Sequence, residues 1–176
     1  MDDMKKILII FLAAVFHMKY VALFFVVLLA ACTTLTNAEK EELAAKKAQA
    51  IEQSLAGRRY TISVTSMNPL RGNVRQIAPD YSLTVKGDTI ISYLPYFGRA
   101  YNVPYGGGKG LNFTAPIKKY QSVKGRKGDT IIELVVDNSE DILTYRLDIS
   151  SDGNASIDVA AGERDPISYT GQLDLE

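Results

Sequence analysis

From Tyr60 to the C-terminus, apolar side chains recur at every second position and turn-forming residues interrupt them at short intervals. This pattern constrains the fold more than any other feature of the chain, because a period of two is that of strands with one face buried. Tyr60, Ile62 and Val64 alternate with Thr61, Ser63 and Thr65, and Tyr81, Leu83 and Val85 alternate with Ser82 and Thr84. The pattern returns at Leu143, Tyr145, Leu147 and Ile149, at Ala155, Ile157 and Val159, and at Ile167, Tyr169, Gly171, Leu173 and Leu175. Further runs lie at 73–77, 89–94, 111–120 and 130–136. Between the runs stand Gly87-Asp88, Gly128-Asp129, Asp137-Asn138-Ser139, Asp152-Gly153-Asn154 and the stretch 162–166. Such short connections make sequential strands antiparallel neighbours, about eight of them.

A meander of that size leaves exposed edges unless it closes on itself or folds into two layers. A mainly β domain over 58–176, closing as a lipocalin-like barrel, is therefore the expectation, with an open two-sheet sandwich as the alternative. Ahead of it, Thr36 and Glu39 are spaced as a capping box and good helix formers run to Ala56, with Gly57 as a natural stop. Leu43, Ala44, Ala48, Ile51 and Leu55 share one face, which predicts an amphipathic helix over 38–57. Its apolar stripe either packs on the domain or belongs to a solvated stalk.

The first part of the chain is different in kind. Residues 7–31 are almost uncharged, interrupted only by His17 and Lys19. Read from Met18, the segment has a basic start at Lys19, a short apolar core and then Leu29-Ala30-Ala31-Cys32, which fits a cleaved signal better than a membrane-spanning helix. That tetrapeptide resembles the lipobox of bacterial lipoproteins. The resemblance implies a signal peptide over 1–31, a diacylglyceryl group on the Cys32 sulfur, and a tether over 32–37. Met4-Lys5-Lys6 and the apolar residues after it look like a second signal start laid before the first, so translation from Met18 gives the simpler precursor. Acyl chains on Cys32 would make the membrane a partner, each buried methylene contributing about 0.8 kcal/mol. Thr33-Thr34 carries no acidic sorting signal, which by the same resemblance implies an outer-membrane position facing the periplasm.

Loss of such a leader has chemical consequences. Cys32 is the only Cys and His17 the only His. A domain starting at a lipidated Cys32 has no imidazole and no free thiol, which excludes Ser-His-Asp triads, thiol nucleophiles, disulfides and His or Cys zinc sites. No catalytic residue, metal or cofactor is therefore expected. The chain holds 20 basic and 20 acidic side chains, so nucleic acid is not an implied partner.

One segment stands apart. Residues 93–113 carry six aromatics, two prolines and five glycines. Tyr96, Phe97, Arg99, Tyr101 and Tyr105 are candidate ligand-binding residues, since aromatic faces, hydroxyls and a guanidinium suit a binding surface. The favoured reading is that the same residues anchor a long loop folded back on the domain, the glycines supplying its tight bends. Gly106-Gly107-Gly108-Lys109-Gly110 lacks the register of a phosphate loop, Lys109 being followed by Gly rather than Ser or Thr. Asp137, Glu140 and Asp141, and likewise Asp152-Gly153-Asn154, match turn chemistry better than a calcium loop. Lys118, Lys119, Lys124, Arg126 and Lys127 read as solvated strand ends. Gly-Asp-Thr-Ile-Ile occurs at both 87–91 and 128–132, as two hairpins with similar turn needs would produce independently.

The lipobox, the short helix, the β-rich domain and the central Tyr-Leu-Pro-Tyr-Phe-Gly-Arg-Ala-Tyr run leading to a Gly-rich turn resemble a family of Bacteroidetes envelope lipoproteins of unknown function. The resemblance covers 38–176 and implies an envelope setting without an activity. The expectation is a non-enzymatic cell-envelope lipoprotein whose β-domain binds a small ligand or another envelope component. The alternatives are a structural or assembly subunit of an envelope complex and, behind both, a His-independent hydrolase using Ser, Lys or carboxylates.

Overall fold

A computed structural model describes residues 37–101, 110–126 and 128–175; Thr36, Cys32 and Tyr105 lie outside them. The chain divides into two units, Met1–Glu41 and Glu42–Glu176, and the β-domain lies wholly within the second. The elements are a helix, α1 (Asn37–Ala56), followed by β1 (Arg59–Pro69), β2 (Arg75–Gln76), β3 (Ser82–Lys86), β4 (Thr89–Leu94), β5 (Leu111–Lys124), β6 (Thr130–Asp137), β7 (Ile142–Ile149), β8 (Asn154–Ala161) and β9 (Ile167–Asp174).

Every strand pairing is antiparallel, and eight strands form a closed barrel in the order β1-β3-β4-β5-β6-β7-β8-β9, with β9 returning to β1. The ninth, β2, is a two-residue strand on the outer part of β1, pairing Ser66 with Gln76 and Met67 with Arg75. The barrel expectation holds and the open sandwich does not form. The alternation is the reason: each strand has one apolar face, and only closure buries all of them at once while leaving no long unpaired edge.

The lumen is a packed core. Ile62, Leu83, Ile90, Ile132, Leu134, Leu143, Tyr145, Leu147 and Ile157 are all fully buried within it. Along β1 the inward phase changes after Val64, where the register with β9 shifts between Val64 and Ser66. Tyr60, Ile62 and Val64 point in before this bulge, and Met67 and Pro69 after it. The bulge lets one strand pair with β3 over its first half and with β2 over its second, each on the side away from β9.

The helix uses only part of its predicted stripe. Ile51 and Leu55 are buried against the barrel, whereas Leu43 and Ala44 are exposed. Its end also differs from expectation: the residue in the left-handed region is Arg58, at φ 51°, rather than Gly57. The side chain of Arg58 is fixed there by Asp88, 3.1 Å away, and by the ring of Tyr120, 4.3 Å from its guanidinium carbon. In the repeated Gly-Asp pairs both glycines adopt positive φ, 63° at Gly87 and 83° at Gly128, which is what turns of this kind require.

Candidate functional site

The connections β1–β2, β4–β5, β6–β7 and β8–β9 all emerge at one end of the barrel, because β1, β4, β6 and β8 run in the same direction. Residues 95–101 leave β4 and reach the β8–β9 connection, which lies on the far side of the strand ring. There Ala100 forms an antiparallel bridge with Arg164. The segment is thus a strap laid across the barrel mouth.

Asp165 is the pin. Its Oδ1 accepts the hydroxyl of Tyr101 at 2.6 Å, its Oδ2 accepts the amide of Arg99 at 3.2 Å, and its own amide donates to the carbonyl of Arg99 at 2.9 Å. The amide of Tyr101 donates to the carbonyl of Glu163 at 2.7 Å. The Tyr101 hydroxyl, followed by the Arg99 amide, holds the Asp165 carboxyl below the usual carboxylate range. The hydroxyl of Tyr96 turns inward to the carbonyls of Arg99 and Asp165, at 2.9 and 3.0 Å. One core hydroxyl meets the strap, Tyr169 donating to the carbonyl of Pro95 at 2.7 Å, while Tyr145 donates to Ser92 on β4, which in turn donates to the carbonyl of Leu111 on β5. Burial pushes both tyrosines above their ordinary ionisation range, so they act as neutral donors.

Beside the pin is a guanidinium with little access to water. Arg164 is 8% exposed, with Nε 3.4 Å from Asp141 and Nη2 3.9 Å from Glu140, and its guanidinium carbon stands 5.5 Å from the centre of the Tyr96 ring. Asp141 and Glu140 belong to the β6–β7 turn, whose backbone is held by Asn138, its Oδ1 accepting the amides of Glu140 and Asp141. This turn does what Asn and Asp do in turns, and Asp141 also pairs with Arg164.

Of the candidate residues, Tyr96, Arg99 and Tyr101 come together around Asp165. Phe97 faces away, its ring 4.0 Å beneath the guanidinium of Arg75 on β2. Tyr105 lies outside the described residues. Phe97 is 44% exposed and Tyr101 66%, and Leu70 and Val74 of the β1–β2 connection are exposed as well. Alternation could not show Arg164 and Asp165, because they sit in a turn-rich stretch whose composition reads as a hairpin connection. Their role arises only when 99–101 pairs with them, which no local pattern records. Among the described residues no group of three or more His, Cys, Asp or Glu is placed to hold a metal ion. No helix among them is long and apolar enough to cross a membrane, which leaves strands out of account.

Of two surface cavities formed by the described residues, neither is lined by Tyr96, Arg99 or Tyr101. The larger, about 940 Å³, lies between the last turns of α1 and the outer edge of β1 and β3 at the opposite end of the barrel.

Comparison with known proteins agrees with this architecture. Residues 42–173 match the family model described as Domain of unknown function (DUF4251). Among solved structures, the crystal structure of a DUF4251 family protein from Bacteroides eggerthii DSM 20697 is similar at a TM-score of 0.56 and 12% identity, covering 73% of this chain and 87% of that one. At that identity the likeness concerns the fold. No curated protein matches the chain. With its family model spanning nearly the whole barrel and the final turns of the helix, the chain belongs to the DUF4251 family.

Proposed function

We propose that this protein is a lipid-anchored component of the bacterial cell envelope, held on the outer membrane by Cys32 and facing the periplasm. Its barrel binds a partner rather than performing chemistry, and it does so through the outer face of the strap. The observation that carries this reading is the division of labour within the strap. The hydroxyls of Tyr96 and Tyr101 and the backbone of Arg99 are bound to Asp165 and the neighbouring carbonyls, while the rings of Phe97 and Tyr101 stay exposed, that of Phe97 against Arg75 of β2. Aromatic residues with arginine beside them are the types that dominate protein contact surfaces. The filled lumen supports an external contact over a ligand held inside the barrel.

Two measurements test the reading separately. Metabolic labelling with a radioactive fatty acid should mark the protein, and Cys32→Ser should abolish both the label and membrane association; retention of the label in that variant would remove the anchor. A photo-crosslinking residue at Phe97 should capture a defined envelope component that the same residue at Thr144, on the barrel wall, does not. Equal capture from both positions would rule out the strap as the contact face.

A further inference from the structure

We propose that the groove between α1 and the β1–β3 edge is a binding site for a small polyhydroxylated anion, its charged group held between Arg59 and Lys86. The inference is independent of the proposed membrane anchor and stands apart from the strap, since it concerns the end of the barrel opposite the strap. Arg59 and Lys86 are directly opposed partners in the antiparallel β1–β3 ladder, so both side chains leave the same outer face side by side. Like charges in that arrangement repel, and a pair so placed lowers stability unless an anion bridges it. Among the described residues neither makes an ion pair, although the nearby Arg58 is paired with Asp88 and Lys124 with Glu52. The one carboxylate on the groove wall, Asp174, accepts the hydroxyl of Ser63 at 2.6 Å instead.

The remaining walls suggest what accompanies the charge. The next pair on that face of the ladder is Thr61 opposite Thr84, their hydroxyls 3.0 Å apart and also lining the groove. Across from them the helix contributes Gln53 and Ser54. A pair of cations followed by a row of hydroxyls and an amide matches a ligand with an anionic head and neighbouring hydroxyl groups. The volume of about 940 Å³ falls within the range of small-molecule sites and exceeds what a bare oxyanion needs. A sugar phosphate and the glycerol phosphate head of a lipid share this chemistry.

The test is titration calorimetry of the full chain in detergent with glucose 1-phosphate, glycerol 3-phosphate and inorganic phosphate, compared with Arg59→Gln, Lys86→Gln and the double variant. The expected result is binding of one or both organic phosphates, weakened about tenfold by each single substitution, with inorganic phosphate weaker still. Preference for the hexose over the glycerol ester assigns the ligand to soluble sugar phosphates, and the reverse assigns it to lipid heads. Both substituted side chains are exposed, so the variants should keep the melting temperature of the parent or exceed it, and thermal unfolding checks this. Absence of binding by either organic phosphate, binding indifferent to both substitutions, or inorganic phosphate binding as tightly as the esters would each overturn the proposal, the last leaving an adventitious ion only.

Discussion

At the scale of single residues, two positions carry more of the architecture than their types suggest. Gly171 sits where β9 passes the bulge of β1. A methyl group built there would collide with the carbonyl oxygen of Ser63 and lie 3.0 Å from the α-carbon of Val64, both backbone atoms that cannot rotate away. Gly171→Ala should therefore destabilise the domain by about 1–3 kcal/mol, the usual cost of forcing extra volume into packed structure. Urea denaturation measures it, and an unchanged midpoint would mean that the two strands separate at the bulge without cost. Asp165 is the second position. Its carboxyl ionises below the usual range when folded, held chiefly by the Tyr101 hydroxyl, so its contribution is complete above the ordinary carboxylate value and is lost as pH falls toward the folded value. Asp165→Asn should lower the melting temperature at neutral pH, and the gap from the parent should narrow on acidification. A gap that stays constant with pH would show that the ionised carboxylate is not what pins the strap. Neither residue stood out in the sequence: Gly171 fell on the inward phase of a strand like any other member, and Asp165 belonged to a turn.

Among the elements, the helix shows most clearly how far pattern reaches. Its existence and its apolar stripe were legible from spacing, yet only the last turns are used, through Ile51 and Leu55. Leu43 belongs to the same stripe and is 53% exposed. Periodicity reports which residues share a face but not how much of that face finds something to cover it. Ile51→Ala or Leu55→Ala should each cost about 2–4 kcal/mol, as truncation of buried aliphatic side chains does, while Leu43→Ala should stay within about 0.5 kcal/mol. Denaturant unfolding of the three variants distinguishes them, and equal effects at Leu43 and Leu55 would show that the whole stripe is packed. The strap is the opposite case. Its aromatic composition was plain, but the choice between anchoring a loop and presenting a surface could not be made from residue types, because both uses need the same ones. The structure divides them: Tyr96 anchors, Phe97 is outward, and Tyr101 does both, with its hydroxyl bound and its ring exposed.

For the whole molecule, closure joins the first barrel strand to the last. β1 and β9 pair from Thr61 with Asp174 to Pro69 with Ile167, contacts between residues about as distant in sequence as the domain allows. Pairings of that kind have the largest loop-closure cost and form slowly. A chain truncated before Ile167 would expose the facing edges of β1 and β8, both apolar on one side, and should aggregate rather than fold. Size-exclusion chromatography of the refolded truncation tests this, and a monodisperse, β-rich monomer would contradict it.

The amino-acid sequence alone determined a mainly β domain with a helix ahead of it, the positions of nearly all the strands and the turns between them, because these depend on periodicity and on the backbone demands of neighbouring residues. The lack of His and Cys after residue 32 is equally a property of composition. Only the tertiary structure decided that β9 closes on β1, that Asp165 and Arg164 receive the strap, that half of the helical stripe is left uncovered, and that Arg59 and Lys86 stand side by side over a groove. Each of these is a meeting of residues far apart along the chain, and the free energy that selects it comes from burying faces together, a quantity no local pattern contains.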